Sequence, residues 1–353
     1  MTKNKRMAIF GCGALGGYVG GYLTRAGHDV TMIDPWPEHV AIMQNAGIRL
    51  EGLTEPENFQ IKTNAILTSD LPSPNEIGPF DIIFIAVKSF DTDEAIKTIA
   101  PYLSDDGFAV SLQNGINEDK IAAVFGHDRT IGCIASTIAV SLPAAGHIKR
   151  MVKLGGAAHI VFRVGEIDGQ ITERVKTVAD MLSVIDSAMV TENLMGERWS
   201  KLATNAMRNP IAAARDQGSN QNDRDPHVRN LAIRIAAEAI QVAEAEGAKL
   251  VKIAGVEPDL LLEAGTGDPT AYESVTEKFF AAMERRSDTQ RPSMAQDVNK
   301  GRKTEIDQLN GFIVERAKKH GIATPVNEAI IAVIKRIEAG EISPSPNNLD
   351  HVE

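Results

Sequence analysis

The chain has 353 residues, which is enough for two domains with a hydrophobic core each. Its formal net charge of −10 argues against nucleic acid and anionic membrane surfaces as partners. Apolar runs stay well short of the about 18 residues of a membrane span, and the N-terminus lacks the apolar segment and cleavage site of a signal peptide. The two cysteines are isolated and form neither a disulfide framework nor a metal-ligand spacing. We therefore expect a soluble cytoplasmic protein without a metal site.

A glycine-rich turn follows the first predicted strand. Residues 7–10 are a short apolar run, and the six residues after them are Gly11, Cys12, Gly13, Ala14, Leu15 and Gly16. An amphipathic stretch then continues to Arg25. Strand, G-x-G-x-x-G and helix in this order are typical of a dinucleotide-binding domain, in which the helix start favours the anionic pyrophosphate. We expect these six residues to bind the cofactor, with the Cys12 side chain serving only for packing. The alternative is a purely structural turn.

Asp34 ends the second predicted strand, 18 residues after Gly16. A carboxylate there can accept hydrogen bonds from the ribose hydroxyls of NAD, and it repels the 2′-phosphate of NADP. Neither Arg nor Lys lies between residues 30 and 46, and His39 is the only possible cation. The position therefore favours NADH over NADPH. Asp34 could also cap the next helix, and the two roles are compatible.

The first half of the chain alternates strands and helices. Continuous apolar runs at 81–87 and 108–112 predict strands buried on both faces, and they end beside Lys88 and Asn114. If these strands are parallel to the first, both ends face the crevice where open α/β sheets bind ligands. Extended stretches at 129–141, 147–154 and 159–166 are interpreted as an antiparallel extension, and a helix from about residue 172 closes the domain.

From residue 192 onward the pattern predicts helices. We expect one from Asp225 to Gly247, short helices within 256–291, a single long helix from Ser293 to about Lys319, a last helix at 327–338 and a loose tail at 342–353. The predicted fold is thus α/β, with an N-terminal Rossmann-type dinucleotide-binding domain at 1–191. An all-α C-terminal domain at 192–353 follows, for substrate binding and dimerisation.

Three polar residues stand four positions apart in the first predicted helix of this second domain. Lys201, Asn205 and Asn209 drift only about 80° around a helix over two turns, so they share one face among apolar and small neighbours. Buried polar groups need partners, and a bound polar ligand is one such partner. The alternatives are a lysine that extends to water, hydrogen bonds between helices, and Asn209 with Pro210 simply ending the helix.

The chain resembles the ketopantoate reductase family (2-dehydropantoate 2-reductases) over nearly its whole length. The motifs that carry the resemblance are the Gly11–Gly16 turn, Val87-Lys88, Asn114-Gly115, Lys201-x-x-x-Asn205-x-x-x-Asn209-Pro210, Ser293-Met294-x-Gln296-Asp297 and Thr304-Glu305-Ile306-Asp307-x-x-Asn310-Gly311. The resemblance implies a Rossmann domain followed by a helical domain. It also implies NAD(P)H-dependent reduction of a 2-oxo acid to a 2-hydroxy acid, in the pantothenate pathway.

The resemblance assigns roles residue by residue. Lys201 resembles the proton donor, Asn205 and Asn209 resemble substrate-holding residues, and Ser293 resembles a residue that bonds the substrate carboxylate. Ser293 could instead form a capping box with Gln296.

On the cofactor side, Asn114 resembles a residue that meets both cofactor and substrate, and Lys88 and Glu305 resemble cofactor-side groups. The structural alternatives are a turn residue for Asn114, a surface lysine for Lys88 and a solvated face of the long helix for Glu305.

Two positions depart from the family pattern. Asp34-Pro35 stands where many members have an Arg for the 2′-phosphate of NADPH, and Gln290 stands where some have a substrate-binding Asn. The segment before Ser293 is also longer than usual. The first departure argues against NADPH, and the other two leave the substrate open.

We expect the enzyme to reduce ketopantoate to (R)-pantoate with NAD(P)H. Hydride goes to the ketone carbon, Lys201 donates the proton, and substrate lies in a cleft against the 201–209 helix. Alternatives are a reductase of another 2-oxo acid or secondary alcohol, an opine- or hydroxyacyl-type dehydrogenase, and a non-catalytic NAD(P) sensor. The helical domain, with its apolar faces, favours a homodimer.

Overall fold

The structure, a computed structural model, describes residues 5–284 and 291–352. The chain divides into two compact units, Met1–Leu194 and Met195–Glu353, called the first and second unit below. The first unit is mixed α/β, and the regular elements in the described part of the second unit are helices. The predicted fold class, a parallel α/β domain followed by an all-α domain, is confirmed.

Two β-sheets are described for the first unit. In chain order its strands are β1 (Arg6–Phe10), β2 (Asp29–Asp34), β3 (Ile48–Glu51), β4 (Phe59–Ile61), β5 (Asn64–Leu67), β6 (Phe80–Ile85), β7 (Leu103–Ser111), β8 (Thr130–Ala135), β9 (Val140–Ala144), β10 (His147–Arg150), β11 (Phe162–Glu166) and β12 (Ala188–Val190). The large sheet has the order β12-β11-β8-β7-β6-β1-β2-β5, and the small sheet has the order β4-β3-β10-β9.

Helices cover both faces of the large sheet. They are α1 (Ala14–Arg25), α2 (Pro37–Asn45), α3 (Pro74–Ile77), α4 (Thr92–Ile99), α5 (Glu118–Phe125) and α6 (Glu173–Ser183). Successive residues of a strand point to opposite faces, so Met7 and Ile9 enter one apolar core while Ala8 and Phe10 enter the other. Burial on both faces explains why the central strands are continuous apolar runs.

The strand order reverses direction at β1. Phe10 at the end of β1 pairs with Ile33 of β2 on one side and with Ile85 of β6 on the other, all in parallel. The chain goes outward from β1 through β2 to β5, and then returns to β6 and continues outward through β7 to β8. Ligands of doubly wound sheets bind outside the carboxyl ends of the strands at such a switch point. The residues after β1 and β6 therefore lie where a ligand of this sheet is expected to bind.

The predicted antiparallel extension is only partly right. β8 runs parallel to β7, and β11 pairs antiparallel with β8. β9 and β10 instead join β3 and β4 in the small sheet, with β10 parallel to β3. This sheet packs on α1 because Gly17 and Gly21 lack side chains: a Cβ at Gly17 would lie 2.5 Å from Ile148 Cδ1, and one at Gly21 would lie 2.7 Å from Leu50 Cδ1.

Eight helices are described for the second unit. They are α7 (Leu194–Arg215), α8 (Ser219–Arg224), α9 (Pro226–Ala245), α10 (Pro258–Gly265), α11 (Pro269–Met283), α12 (Ser293–Asn299), α13 (Asn310–His320) and α14 (Pro325–Glu338). Asp225 caps α9 as the sequence predicts, and its carboxylate accepts from the backbone N–H groups of His227 and Val228. Across residues 5–284 and 291–352, none of the helices combines the length and apolar character needed to cross a bilayer.

The single long helix predicted from Ser293 to about Lys319 is wrong. α12 ends at Asn299, and α13 begins only at Asn310. Gly301 has a φ of 62°, which a right-handed helix does not allow. The backbone N–H of Arg302 then donates to the carbonyl of Asp297, which turns the chain out of the helix. Glu305 consequently lies in a turn between the two helices.

The tail predicted to be loose is instead packed against α7 and α9 within the second unit. The backbone N–H of Ser345 and the side chain of Asn348 both donate to the carbonyl of Ala214, at 3.0 Å each. Ala214 is in the last turn of α7, where carbonyls lack helical partners. Leu349 is buried, and its carbonyl accepts from His227 Nε2 at 3.0 Å.

Candidate active site

The glycine-rich turn fills the space between the ends of β1 and β6. Gly11 has a φ of 92°, and a Cβ there would lie 2.7 Å from the backbone nitrogen of Val87. A Cβ on Gly16 would lie 2.0 Å from the carbonyl oxygen of Gly11, so α1 can start this close only with glycine. A Cβ on Gly13, in contrast, would meet nothing within 4 Å. The turn is tightly packed on its inner side and open at Gly13.

The start of α1 suits an anion. Gly13 is its N-cap residue and provides no side-chain cap, and the first turn of the helix contains no acidic residue. The first N–H groups of a helix lack helical acceptors and carry the positive end of the helix dipole. These features, together with the open space at Gly13, fit the pyrophosphate of a dinucleotide.

Asp34 is held by the backbone at the end of β2. Its Oδ2 accepts from the backbone N–H of Cys12 at 2.7 Å, and its Oδ1 accepts from that of Trp36 at 2.9 Å. The carboxylate is 7% exposed and is thus tied to the glycine-rich turn. Each oxygen keeps a lone pair that a ribose hydroxyl could use. The alternative cap for α2 is wrong, because Trp36 is the N-cap residue of that helix.

His39 is buried beneath the same turn. Its Nδ1 accepts from the backbone N–H of Gly146 at 2.8 Å, so the ring proton is on Nε2, which donates to the carbonyl of Cys12 at 2.9 Å. The Trp36 ring stacks on the imidazole with 5.5 Å between centroids. Both ring nitrogens are therefore engaged with backbone groups, and His39 does not offer a cation to a 2′-phosphate.

The Cys12 thiol serves for packing. Its Sγ is buried and lies 3.5 Å from the carbonyl oxygens of Ile9 and Ile33. Burial raises the pKa of the Cys12 thiol well above its ordinary value, and the nearby Asp34 carboxylate raises it further. The thiol stays protonated near neutrality, so it is neither a nucleophile nor a metal ligand there.

Lys88 and Asn114 follow β6 and β7, on neighbouring loops. Both are half-buried. The carbonyl of Asn114 accepts from Ser89 Oγ and from Asn117 Nδ2, at 2.8 Å each, which ties the two loops together. Gly115 has a φ of 75°, so the turn there needs glycine.

Sequence reasoning missed the polar residues that hold these two loops. Gln113 Nε2 donates to the carbonyl of Val87 at 3.0 Å and to Thr92 Oγ1 at 2.8 Å, and Asn117 Nδ2 also donates to Ser89 Oγ at 3.2 Å. All four side chains are buried. The sequence does show a group of polar residues directly after two buried strands. The loops at the carboxyl ends of such strands are where open α/β sheets bind ligands.

In the second unit, α7 carries the Lys201, Asn205 and Asn209 stripe on one continuous helix. Lys201 and Asn205 are half-buried, and Asn209 is 7% exposed. Within the described part of this unit, the carboxamides of Asn205 and Asn209 form no hydrogen bonds. The helix continues through Pro210 to Arg215, so the alternative that Asn209 and Pro210 end it is wrong. The two carboxamides thus retain donors and acceptors for a ligand.

Two hydroxyls fix the rotation of α7 about its axis. Ser200 Oγ accepts from the backbone N–H of Val251 at 2.9 Å, and Thr204 Oγ1 accepts from that of Ala254 at 3.1 Å. Both hydroxyls lie one residue before a member of the polar stripe, about 100° around the helix. The 251–254 segment thereby holds one side of α7 and fixes the direction in which the Cα–Cβ bond of Lys201 leaves the helix.

Ser293 and Glu305 lie on different elements from the stripe. Ser293 is the first residue of α12 and is exposed. The predicted capping box is wrong, because Pro292 is the N-cap residue and Gln296 Nε2 donates to the carbonyl of Arg291. Glu305 is 5% exposed, so the alternative of a solvated helix face is wrong as well. Gln290, a departure from the family pattern, lies outside the described residues.

Comparisons with known proteins cover both units. Residues 7–161 match the family model of ketopantoate reductase PanE/ApbA, and residues 193–338 match its C-terminal counterpart. A 2-dehydropantoate 2-reductase from Pyrococcus horikoshii is 30% identical over 336 residues, covering 95% of this chain and 98% of that protein.

Two solved structures are similar across the chain. The crystal structure of a PanE/ApbA family ketopantoate reductase from Ralstonia eutropha aligns with a TM-score of 0.77 at 27% identity, covering 95% of this chain and 99% of that one. A ternary structure of D-mandelate dehydrogenase with NADH and anilino(oxo)acetate also has a TM-score of 0.77, with 95% and 98% coverage, but its 22% identity supports the fold alone. The chain belongs to the ketopantoate reductase family, NAD(P)-dependent oxidoreductases that act on a CH–OH group.

Proposed function

We propose that the protein reduces ketopantoate to (R)-pantoate with a reduced nicotinamide dinucleotide. The observation that carries this proposal is the polar stripe of α7, in which two carboxamides without hydrogen bonds in their own unit stand beside Lys201. A hydroxylated 2-oxo acid offers several oxygens, which match an ammonium and two carboxamides. The names of the curated relatives point to the same substrate.

The first unit binds the cofactor, and NADH is the preferred form. Residues Gly11–Gly16 accommodate the pyrophosphate, and Asp34 accepts from the adenosine ribose. A 2′-phosphate would place negative charge beside this carboxylate, and His39 does not compensate because both its nitrogens bond to the backbone. Lys88 and Asn114 of this unit also serve the cofactor, and Glu305 is the one cofactor-side group proposed from the second unit. When bound, the reduced nicotinamide supplies the hydride for the ketone carbon.

Lys201 donates the proton that the reduction requires. As the ketone carbon becomes tetrahedral, its oxygen becomes an alkoxide, and transfer of a proton from the Nζ of Lys201 completes the alcohol. Asn205 and Asn209 hold the substrate hydroxyl and carbonyl oxygens, and Ser293 donates to the substrate carboxylate. Lys201 then regains a proton from solvent before the next turnover.

A second candidate is the reduction of a different 2-oxo acid with NADH. Asp34 favours it, because many members of the family have an Arg for NADPH near this position. A non-catalytic NAD(P) sensor is the remaining alternative, and it would not require a proton donor on α7.

The test is a matrix of assays with the purified full chain. Oxidation of NADH and of NADPH is followed with ketopantoate and with a panel of other 2-oxo acids. We expect the highest kcat/KM with ketopantoate and NADH. A higher kcat/KM for another acid would favour the second candidate, and cofactor binding without turnover of any acid would favour a sensor. Light scattering on the same sample tests the proposed homodimer.

A further inference from the structure

Pro210 leaves one carbonyl of α7 without its helical donor. In an α-helix the N–H of each residue donates to the carbonyl four residues earlier, and proline has no N–H. The carbonyl that loses its donor belongs to Ala206, whose side chain is fully buried. Since buried carbonyls are almost always hydrogen-bonded, another group must supply the donor.

Asn310 supplies it from α13. Its Nδ2 donates to the carbonyl of Ala206 at 3.2 Å and to Asn327 Oδ1 at 3.0 Å. Asn310 has no exposed surface. The Ala206 carbonyl can only accept a hydrogen bond, so the nitrogen of the Asn310 carboxamide, and not its oxygen, faces α7.

A chain of donors and acceptors holds Asn310 in this orientation. Asn327 Nδ2 donates to Glu238 Oε2 at 2.7 Å and to the carbonyl of Ile235 at 3.3 Å, so Asn327 Oδ1 remains to accept from Asn310. Glu238 also accepts from the backbone N–H groups of Val326 and Asn327 at the start of α14. α9, α13 and α14 thus meet α7 through one buried polar path.

The path reaches α7 between the two carboxamides of the stripe. Ala206 follows Asn205 directly and lies three residues before Asn209, in the turn from which Pro210 removes a backbone hydrogen bond. We propose that Asn310 is a positioning residue: by holding the Ala206 carbonyl it sets the direction of Asn209 relative to Asn205. The inference rests on the proposed function, in which these carboxamides hold a 2-oxo acid. It also gives a role to Pro210 and Asn310, two motif residues for which the proposed chemistry has no direct use.

The experiment is a four-member cycle of wild type, Asn310→Ala, Pro210→Ala and the double variant. Asn310→Ala should raise the KM for ketopantoate at least tenfold and change the KM for NADH less than twofold, because the Asn310 nitrogen bonds to Ala206 and Asn327 and not to a residue assigned to the cofactor. Pro210→Ala restores the N–H that bonds the Ala206 carbonyl. In that background, loss of Asn310 should therefore raise the ketopantoate KM by less than threefold.

Asn348→Ala is the matched control. Asn348 Nδ2 donates to the carbonyl of Ala214 at 3.0 Å, so it also bonds α7 from outside, but beyond the polar stripe. Its removal should leave the ketopantoate KM within twofold of wild type. If Asn310→Ala does not fold, Asn310→Ser is assayed in the same two backgrounds, because serine is too short to reach the carbonyl but remains polar.

The outcomes separate this inference from the proposed function. Equal losses with and without Pro210, or an unchanged ketopantoate KM in the Asn310 variants, would overturn the positioning role while the enzyme remains a reductase. A wild-type chain that reduces no 2-oxo acid would overturn the proposed function, and this inference with it.

Discussion

The polar side chains of the two candidate sites differ in how they are hydrogen-bonded. In the first unit, Asp34 and His39 are fixed by hydrogen bonds to backbone groups of the glycine-rich turn and its neighbours. In the second unit, Asn205 and Asn209 project from a single helix and form no hydrogen bonds within the described part of that unit. The candidate site of the first unit is formed largely by the backbone conformation, whereas that of the second unit is formed by side chains of one helix.

This difference predicts how each unit responds to substitution. A change in the first unit alters the path of the chain, so we expect stability and cofactor affinity to change together. Replacing Asn205 or Asn209 removes a carboxamide that forms no hydrogen bonds in the described part of its unit, so we expect kinetics to change while stability stays nearly constant.

The largest effect is expected on the stripe, from Lys201→Ala. Loss of the proton donor should lower kcat by about 10²–10⁴-fold, the usual contribution of general acid catalysis. The Kd for NADH should change less than twofold, measured by titration of cofactor fluorescence. Lys319→Ala is the control, since that lysine pairs with Glu315 on the exposed side of α13. A variant that keeps more than a tenth of the wild-type kcat would contradict the assignment.

Asp186 extends the contrast to a part of the first unit outside the glycine-rich turn. Its carboxylate accepts from Arg150 at 2.6 Å and from the backbone N–H of Gly155 at 2.9 Å, and both charged side chains are buried. Burial alone would raise the pKa of Asp186, but the N–H groups of Gly155 and Ser187 and the Arg150 guanidinium hold it below its ordinary value.

The shift predicts a stability that depends on pH. Because the folded pKa of Asp186 lies below the unfolded value of about 3.9, its contribution is present above that pH and is lost as the pH falls through the folded pKa. Asp186→Asn should lower the free energy of unfolding by about 3–5 kcal/mol at neutral pH. It should also flatten the acid limb, which is the decrease of that free energy as the pH falls. Urea unfolding from pH 3 to 7 measures both (with Asp180→Asn, exposed on α6, as the control). An unchanged acid limb would show that other groups cause it.

Much of the first unit could be predicted because its signals are local. The strand, glycine turn and helix at its start follow from the spacing of the apolar residues and from the glycines between strand and helix. The placement of β9 and β10 could not be predicted in this way, since it depends on packing against glycines of α1. The role of His39 was also hidden, because its partner Gly146 is more than a hundred residues away along the chain.

The second unit was less predictable for the same physical reason. An isolated glycine within a helical repeat of apolar residues does not by itself end a helix, so the sequence does not mark Gly301 as the break between α12 and α13. The docking of the tail depends on an orphan carbonyl at Ala214, which the sequence of the tail does not show. The spacing of Lys201, Asn205 and Asn209 was visible because a helix repeats every 3.6 residues.

Gly16 and Gly13 give a matched pair within one turn. Gly16→Ala places a Cβ 2.0 Å from the Gly11 oxygen, so it should lower the free energy of unfolding by about 1–3 kcal/mol and weaken NADH binding as well. Gly13→Ala meets nothing within 4 Å, so stability should stay within about 0.5 kcal/mol while NADH binding weakens, because the Cβ occupies the pyrophosphate approach. Thermal unfolding with and without NADH measures both. Unimpaired NADH binding by Gly13→Ala would place the phosphates elsewhere.

The smallest effect is expected for Asp34→Asn. The ratio of kcat/KM with NADH to kcat/KM with NADPH should change about tenfold, which corresponds to about 1.4 kcal/mol. The change removes the negative charge that opposes a 2′-phosphate, so the ratio should move toward NADPH. Asparagine offers one carbonyl oxygen for the two N–H groups of Cys12 and Trp36, so stability should fall by about 1 kcal/mol. Asp29→Asn, at the exposed start of the same strand, is the control. A loss of stability without a change in the ratio would mean that Asp34 only holds the turn, and the contrast between the two units would then rest on the glycines alone.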